Sequence, residues 1–255
     1  MMKAWIVAAM AASFAVAAQS RTAYVAASFN TNSIYFLDEQ MEPVSSFSVE
    51  DPLPNAVAAT QTLIYAGYFL DASVVAYDYS GAEHFRWSSP GLTRLTGIAA
   101  FGPYIAASSD TTVYLFQAKS GRYMAQLSAE DSIEGLAYDG HYLWTLGSEL
   151  VARDIDTGLV VHRIDNAAIG CDFAGTGIAS AGNGHLMLGC NDGRWFDVSV
   201  ADGSVQASGN NGLDMFDLAA VPVPEPSTAS LVFAGLALVG GRARKRWCRL
   251  SDSNR

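Results

Sequence analysis

The sequence is poor in positive charge, poor in cysteine, and has no apolar run of the roughly 20 residues that a stable membrane-spanning helix needs. Between Gln19 and Pro224 there are 8 Lys/Arg against 23 Asp/Glu, a net of −15. A body this acidic repels phosphate backbones, so no nucleic-acid partner is expected. No Gly-x-Ser-x-Gly, no His-Glu-x-x-His and no phosphate-cradling glycine loop occurs, so the common hydrolase, zinc-protease and nucleotide-binding signatures are missing. The four histidines, His84, His141, His162 and His185, do not cluster, and no metal centre or cofactor is expected from them.

What is present begins with a leader. Lys3 supplies a positive start, Ala4 to Val16 an apolar stretch, and Ala15 to Ala18 a small-residue exit. That order reads as a secretory signal peptide over residues 1–18, cut after Ala17 or Ala18; the plainer alternative is a buried N-terminal helix.

The body, residues 19–221, repeats itself. Ala56-Val-Ala-Ala, Gly97-Ile-Ala-Ala, Gly135-Leu-Ala-Tyr, Gly177-Ile-Ala-Ser and Asp217-Leu-Ala-Ala match, and their third residues (Ala58, Ala99, Ala137, Ala179, Ala219) are spaced by 41, 38, 42 and 40. After each match come a turn, an apolar strand such as Tyr142-Leu-Trp-Thr-Leu, a short polar turn, a third strand, and a more polar fourth such as Val160-Val-His-Arg-Ile. Four strands per repeat of about 40 residues is the pattern of a β-propeller blade. The first strand lies nearest the axis, where crowding favours Ala and Gly. The second reads as continuously apolar, as a strand buried on both faces should. The fourth is an outer edge, carrying Arg, His and Gln that discourage pairing with other molecules. The first repeat, from Ala23, lacks its own first strand, while a spare one stands at Asp214 to Val221. The expected fold class is all-β: a five-bladed propeller closed by the C-terminal strand joining the N-terminal blade, with a signal helix before it and a short transmembrane helix after it.

In this fold the turns between second and third strands and the links between blades open onto one face. Asp71, Asp110 and Asp192 fall in or beside the former, Glu134 and Asp214 in the latter. These carboxylates are candidates for a Ca²⁺-binding or glycan-binding face; alternatively they serve their own turns. Cys171 and Cys190 reach the same face and are candidates for a disulfide in an exported protein, or else two adjacent thiols; the third cysteine, Cys248, lies in the tail. For catalysis, Glu134, Asp51, Asp214 and Asp172 are the carboxylates expected near the axis, but none stands in a recognisable motif. The expectation is a protein that is not an enzyme, the competing class being a secreted propeller hydrolase of glycans or lactones.

The end of the chain departs from the body. Glu225 is followed by 16 uncharged residues, Pro226 to Gly241, and then by Arg242, Arg244, Lys245 and Arg246. The basic cluster would stop transfer and stay inside, leaving the body outside on a helix too short to be a lasting anchor. A plain C-terminal anchor is the alternative.

Two resemblances follow from these residues. The repeat "AYVAASFNTNSIYFLDEQMEPVSSFSVEDPLPNAVAA" (Ala23 to Ala59) resembles the YVTN bacterial surface propellers and the wider WD40-like group, although no Trp-Asp pair occurs. Val223-Pro-Glu-Pro, "STASLVFAGLALVGG" and "RARKR" resemble the PEP-CTERM sorting signal, placed here at 222–247 with a polar tail at 248–255. That resemblance implies a Gram-negative bacterium that makes exopolysaccharide. It also implies Pro224, Glu225 and Pro226 as the recognition motif and an exosortase-type processing enzyme as partner. The inner membrane would be visited only transiently before release to the cell surface or extracellular matrix. Polysaccharide or Ca²⁺ would be the body's ligand.

Overall fold

The structure, a computed structural model, describes residues 23–165, 169, 171 and 176–222. The signal peptide, the sorting segment and their two expected helices lie outside the described residues.

Strands β1 (Tyr24–Ser28), β2 (Ser33–Leu37) and β3 (Pro43–Ser48) open the chain. Four complete blades follow: β4 (Pro54–Ala59), β5 (Ile64–Tyr68), β6 (Ser73–Tyr77) and β7 (Glu83–Ser88); then β8 (Gly97–Phe101), β9 (Tyr104–Ser109), β10 (Thr112–Gln117) and β11 (Tyr123–Ser128). Next come β12 (Gly135–Tyr138), β13 (Tyr142–Leu146), β14 (Glu149–Asp154) and β15 (Val160–Asp165), and finally β16 (Thr176–Gly182), β17 (His185–Cys190), β18 (Arg194–Ser199) and β19 (Val205–Asn210). The last strand, β20 (Asp217–Ala220), pairs antiparallel with β1, in the order β20-β1-β2-β3, so that five four-stranded sheets result. Each sheet is an antiparallel meander from an inner to an outer strand.

The ring closes as the sequence expects. Val25 faces Ala219 and Ala26 faces Leu218 across the closing ladder, which Phe216 N to Ala27 O at 3.0 Å and Val221 N to Ala23 O at 2.9 Å extend at its two ends. The inner strands touch in the cyclic order β4, β8, β12, β16, β20 and back to β4. One joint therefore removes two exposed sheet edges.

Burial follows strand rank. The second strands β5, β9, β13 and β17 are buried almost throughout, while β3, β7, β11, β15 and β19 are largely exposed. Five apolar clusters fill the five seams between neighbouring sheets: Leu95, Ile98 and Phe116 of one blade meet Tyr65 and Val74 of the next, and Leu37 and Met41 meet Met187 and Leu218 across the closure. Glycine stands at or next to the start of the inner strands β8 and β16 because there is no room for more. A Cβ on Gly97 would lie 2.8 Å from the Gly135 Cα, and one on Gly177 would lie 2.5 Å from the Asp217 Cα.

Candidate functional site

The inner strands all begin at one face, which also collects the turns between second and third strands and the links between blades. There the ring has a mouth of about 380 Å³, lined by Asn55, Phe69, Arg94, Thr96, Glu134, Asn191 and Phe216. The lining is assembled from different blades, which is why no contiguous motif announces it.

Aromatic rings form one wall. Phe29 stacks on Phe216 with centroids 4.9 Å apart and meets Phe69 edge-on at 6.5 Å. The Arg94 guanidinium lies over the Phe69 ring at 5.5 Å and is held by Asp110 at 3.0 Å. The polar lining is braced from behind. Asn55 Nδ2 donates to Leu95 O at 2.9 Å, and Thr96 Oγ1 donates to Ile133 O at 2.6 Å.

Asp217 occupies the axis of the ring. It heads β20 at the position that Ala56, Gly97, Gly135 and Gly177 take in the other blades, and those small residues leave space for its single side chain. It is wholly buried. Its Oδ2 accepts N–H groups from Val57 at 2.8 Å and Ile98 at 3.4 Å, its Oδ1 accepts from Leu218 at 2.9 Å, and Ile178 adds a fourth backbone donor. Burial pushes its carboxyl well above the ordinary carboxylate range, against the pull of those four donors.

The five carboxylates expected on this face have separate fates. Only Glu134 lines the mouth, where its Oε1 accepts from Ser132 Oγ at 3.3 Å. Asp71 caps its own turn, accepting from Ser73 N at 3.0 Å and Oγ at 2.8 Å. Asp110 pairs with Arg94, and Asp192 with Arg194 at 2.6 Å. Asp214 accepts from Ser28 Oγ at 2.5 Å and Asn30 N at 2.8 Å, tying β20's approach to the first blade. Asp51 lies with Arg86 of an outer strand at 2.8 Å, away from the axis. Asp172 lies outside the described residues. Among the described residues, no group of three His, Cys, Asp or Glu side chains is placed to hold a metal ion. Cys171 and Cys190 are bonded to each other, with Cα atoms 5.8 Å apart. Sequence reasoning passed over Asp217. The signal was there: it is the one acidic residue at a repeat position otherwise filled by Ala and Gly.

The expected sorting residues Pro224, Glu225 and Pro226, and the basic stop Arg242, Arg244, Lys245 and Arg246, lie outside the described residues. Among the described residues no helix is long and apolar enough to cross a membrane. The tail is decided by its sequence: residues 222–246 match the family model described as the PEP-CTERM protein-sorting motif. The chain carries a PEP-CTERM sorting motif. Such a motif marks an exported protein that is held at the membrane in transit and processed by an exosortase-type enzyme. The PEP-CTERM segment starts two residues after β20 ends, so the sorting signal follows directly on the strand that closes the ring.

No curated protein matches the chain in sequence. Among solved structures, the chain is similar to that of U3-55K, with 13% identity and a TM-score of 0.49, covering 74% of this chain and 61% of that one. It is also similar to a protein of unknown function from Bacteroides caccae, with 14% identity and a TM-score of 0.48, covering 73% of this chain and 72% of that one. The chain thus spans less than two thirds of the length of the first.

Proposed function

We propose that the PEP-CTERM protein's body is a non-catalytic binding module of the cell surface or extracellular polysaccharide matrix, and that the mouth of the ring takes a sugar unit of a polysaccharide. The observation that carries this reading is the make-up of the mouth. Its volume of about 380 Å³ falls in the range of small-molecule sites, which combine apolar walls with a few placed polar groups. A pyranose has an apolar face, which suits the half-buried Phe69 and Phe216, and a rim of hydroxyls. Glu134 can accept from those hydroxyls, and Asn55 and Asn191 offer amides. Arg94, already bound to Asp110, adds donors without an uncompensated charge.

The competing reading is a hydrolase of glycans or lactones. Glycosidases set two carboxyl groups about 5–10 Å apart across the scissile bond. Glu134 is the one carboxylate lining the mouth among the described residues. Asp217 beneath it is enclosed by backbone donors. This favours binding without turnover.

The test is to pass the purified exported protein over immobilised polysaccharides and assay both retention and released sugar. Retention that falls roughly tenfold in Phe216→Ala and in Glu134→Gln, with no product, supports the reading. Product formation that Glu134→Gln abolishes would replace it with the hydrolase.

A further inference from the structure

The described body has seven cationic side chains, and five are spoken for. Arg86, Arg94, Arg163 and Arg194 are in ion pairs with carboxylates, and Arg153 is buried. Lys119 and Arg122 are the two left without a carboxylate partner among the described residues, and both are exposed. They share one turn, between β10 and β11, at the end of the blade opposite the mouth.

That turn is flanked by exposed rings. Tyr123 and Met124 head β11 at 50% and 43% exposure, and Tyr104 heads β9 at 38%. The ladder sets these groups about one turn, with Tyr123 on one face of the sheet and Tyr104 on the other. Tyr104 faces Gln117, Tyr123 faces Phe116, and Gln117 N donates to Arg122 O at 2.9 Å. Ala118 N donates to Pro103 O at 2.9 Å, locking the two turns of the blade together. The result is a patch with two cations and the half-exposed Tyr123 ring beside them, on a body that is otherwise acidic.

We propose that this patch docks an acidic polysaccharide, a chain of carboxylate-bearing sugar units. The inference does not rest on the reading of the mouth, since no residue is shared. Charge complementarity selects the ligand. Arg122 offers a planar fork that matches a carboxylate, and Lys119 offers a second point charge within one turn. The negative face of the Tyr123 ring accepts the apolar C–H face of a sugar ring. Screening over about 8 Å at physiological salt confines the effect of the body's acidic groups, so the patch is the surface where an anionic chain settles. An acidic peptide would use the two cations but gain little from the flat ring, and an anionic bilayer would bring the acidic remainder of that face against like charge.

The experiment measures binding of the purified exported protein to polygalacturonate, neutral dextran, polyglutamate and vesicles of phosphatidylcholine with phosphatidylglycerol. The expected result is preferential binding to polygalacturonate that weakens by about tenfold or more between about 50 mM and about 0.5 M salt. The double variant Lys119→Glu/Arg122→Glu should lose about tenfold or more in affinity. Tyr123→Ala should weaken polygalacturonate binding while leaving any polyglutamate binding unchanged. Melting curves check the fold of each variant, and Lys119→Ala/Arg122→Ala replaces the charge reversal if that variant fails to fold. No binding to polygalacturonate, binding indifferent to these substitutions, or equal or tighter binding to polyglutamate or to the vesicles overturns the proposal.

Discussion

Asp217 Oδ2 accepts the backbone N–H of Val57 at 2.8 Å, although 160 positions of sequence separate the two residues. The same carboxylate reaches Ile98 and Ile178 on two further blades, so one side chain of the closing strand holds the inner strands of three others. Asp217→Ala leaves buried donors unpaired, each costing about 1–3 kcal/mol. The expected loss is about 3–5 kcal/mol, read as a shift of the denaturant midpoint, with the exported protein as reference.

The ionisation of Asp217 gives stability a pH dependence of definite sign. Its folded value is raised above the unfolded one, so the folded state keeps a proton that the unfolded chain releases. Its contribution is greatest at and below the ordinary carboxylate range of about 4 and declines as pH climbs through the raised folded value. Melts across that window should show this slope in the wild type and its disappearance in Asp217→Asn.

Gly177 tests the crowding at the axis. A methyl group there would meet the Asp217 backbone at 2.5 Å, and backbone cannot swing aside as a side chain can. Gly177→Ala should destabilise by about 1–3 kcal/mol, whereas Gly140→Ala, with open space around it but a φ of +99°, should cost about 1 kcal/mol from backbone strain. Thermal melts of the two variants should rank in that order.

Much of this was legible in the amino-acid order. The spacing of Ala58, Ala99, Ala137, Ala179 and Ala219 marks the inner strands, and the unpartnered Asp214 to Val221 stretch marks the closure, because a strand period and a missing partner are local properties. The mouth was not. Phe69, Glu134, Asn191 and Phe216 come from separate turns, and only the ring brings them together. Acidic residues misled for a related reason. Asp71, Asp110 and Asp192 do gather at one face, but turn geometry and neighbouring arginines absorb them. The role of Asp217 required comparing five equivalent positions and then knowing that they converge.

The Cys171–Cys190 bond closes a loop with a sequence separation of 19. Intact mass of the non-reduced exported protein should be lower by two hydrogens than that of the reduced form. Cys171→Ser/Cys190→Ser should lose about 2–4 kcal/mol, seen as a lower melting temperature.

The sorting motif predicts a trafficking defect rather than a folding one. Pro224→Ala/Glu225→Ala/Pro226→Ala should leave the body intact and the chain unprocessed in the membrane fraction. Immunoblots of fractionated cells check it: a released, full-efficiency product from the triple variant would mean that these residues are not read.

The closing strand also sets a clock. β20 is the final stretch of the body to be synthesised, and it brings both the partner of β1 and the axial carboxylate. A nascent chain that stops short of Asp217 has an unsatisfied edge and a hollow centre, whatever its other blades have done. Completion of the ring therefore waits for the last few codons before the sorting signal.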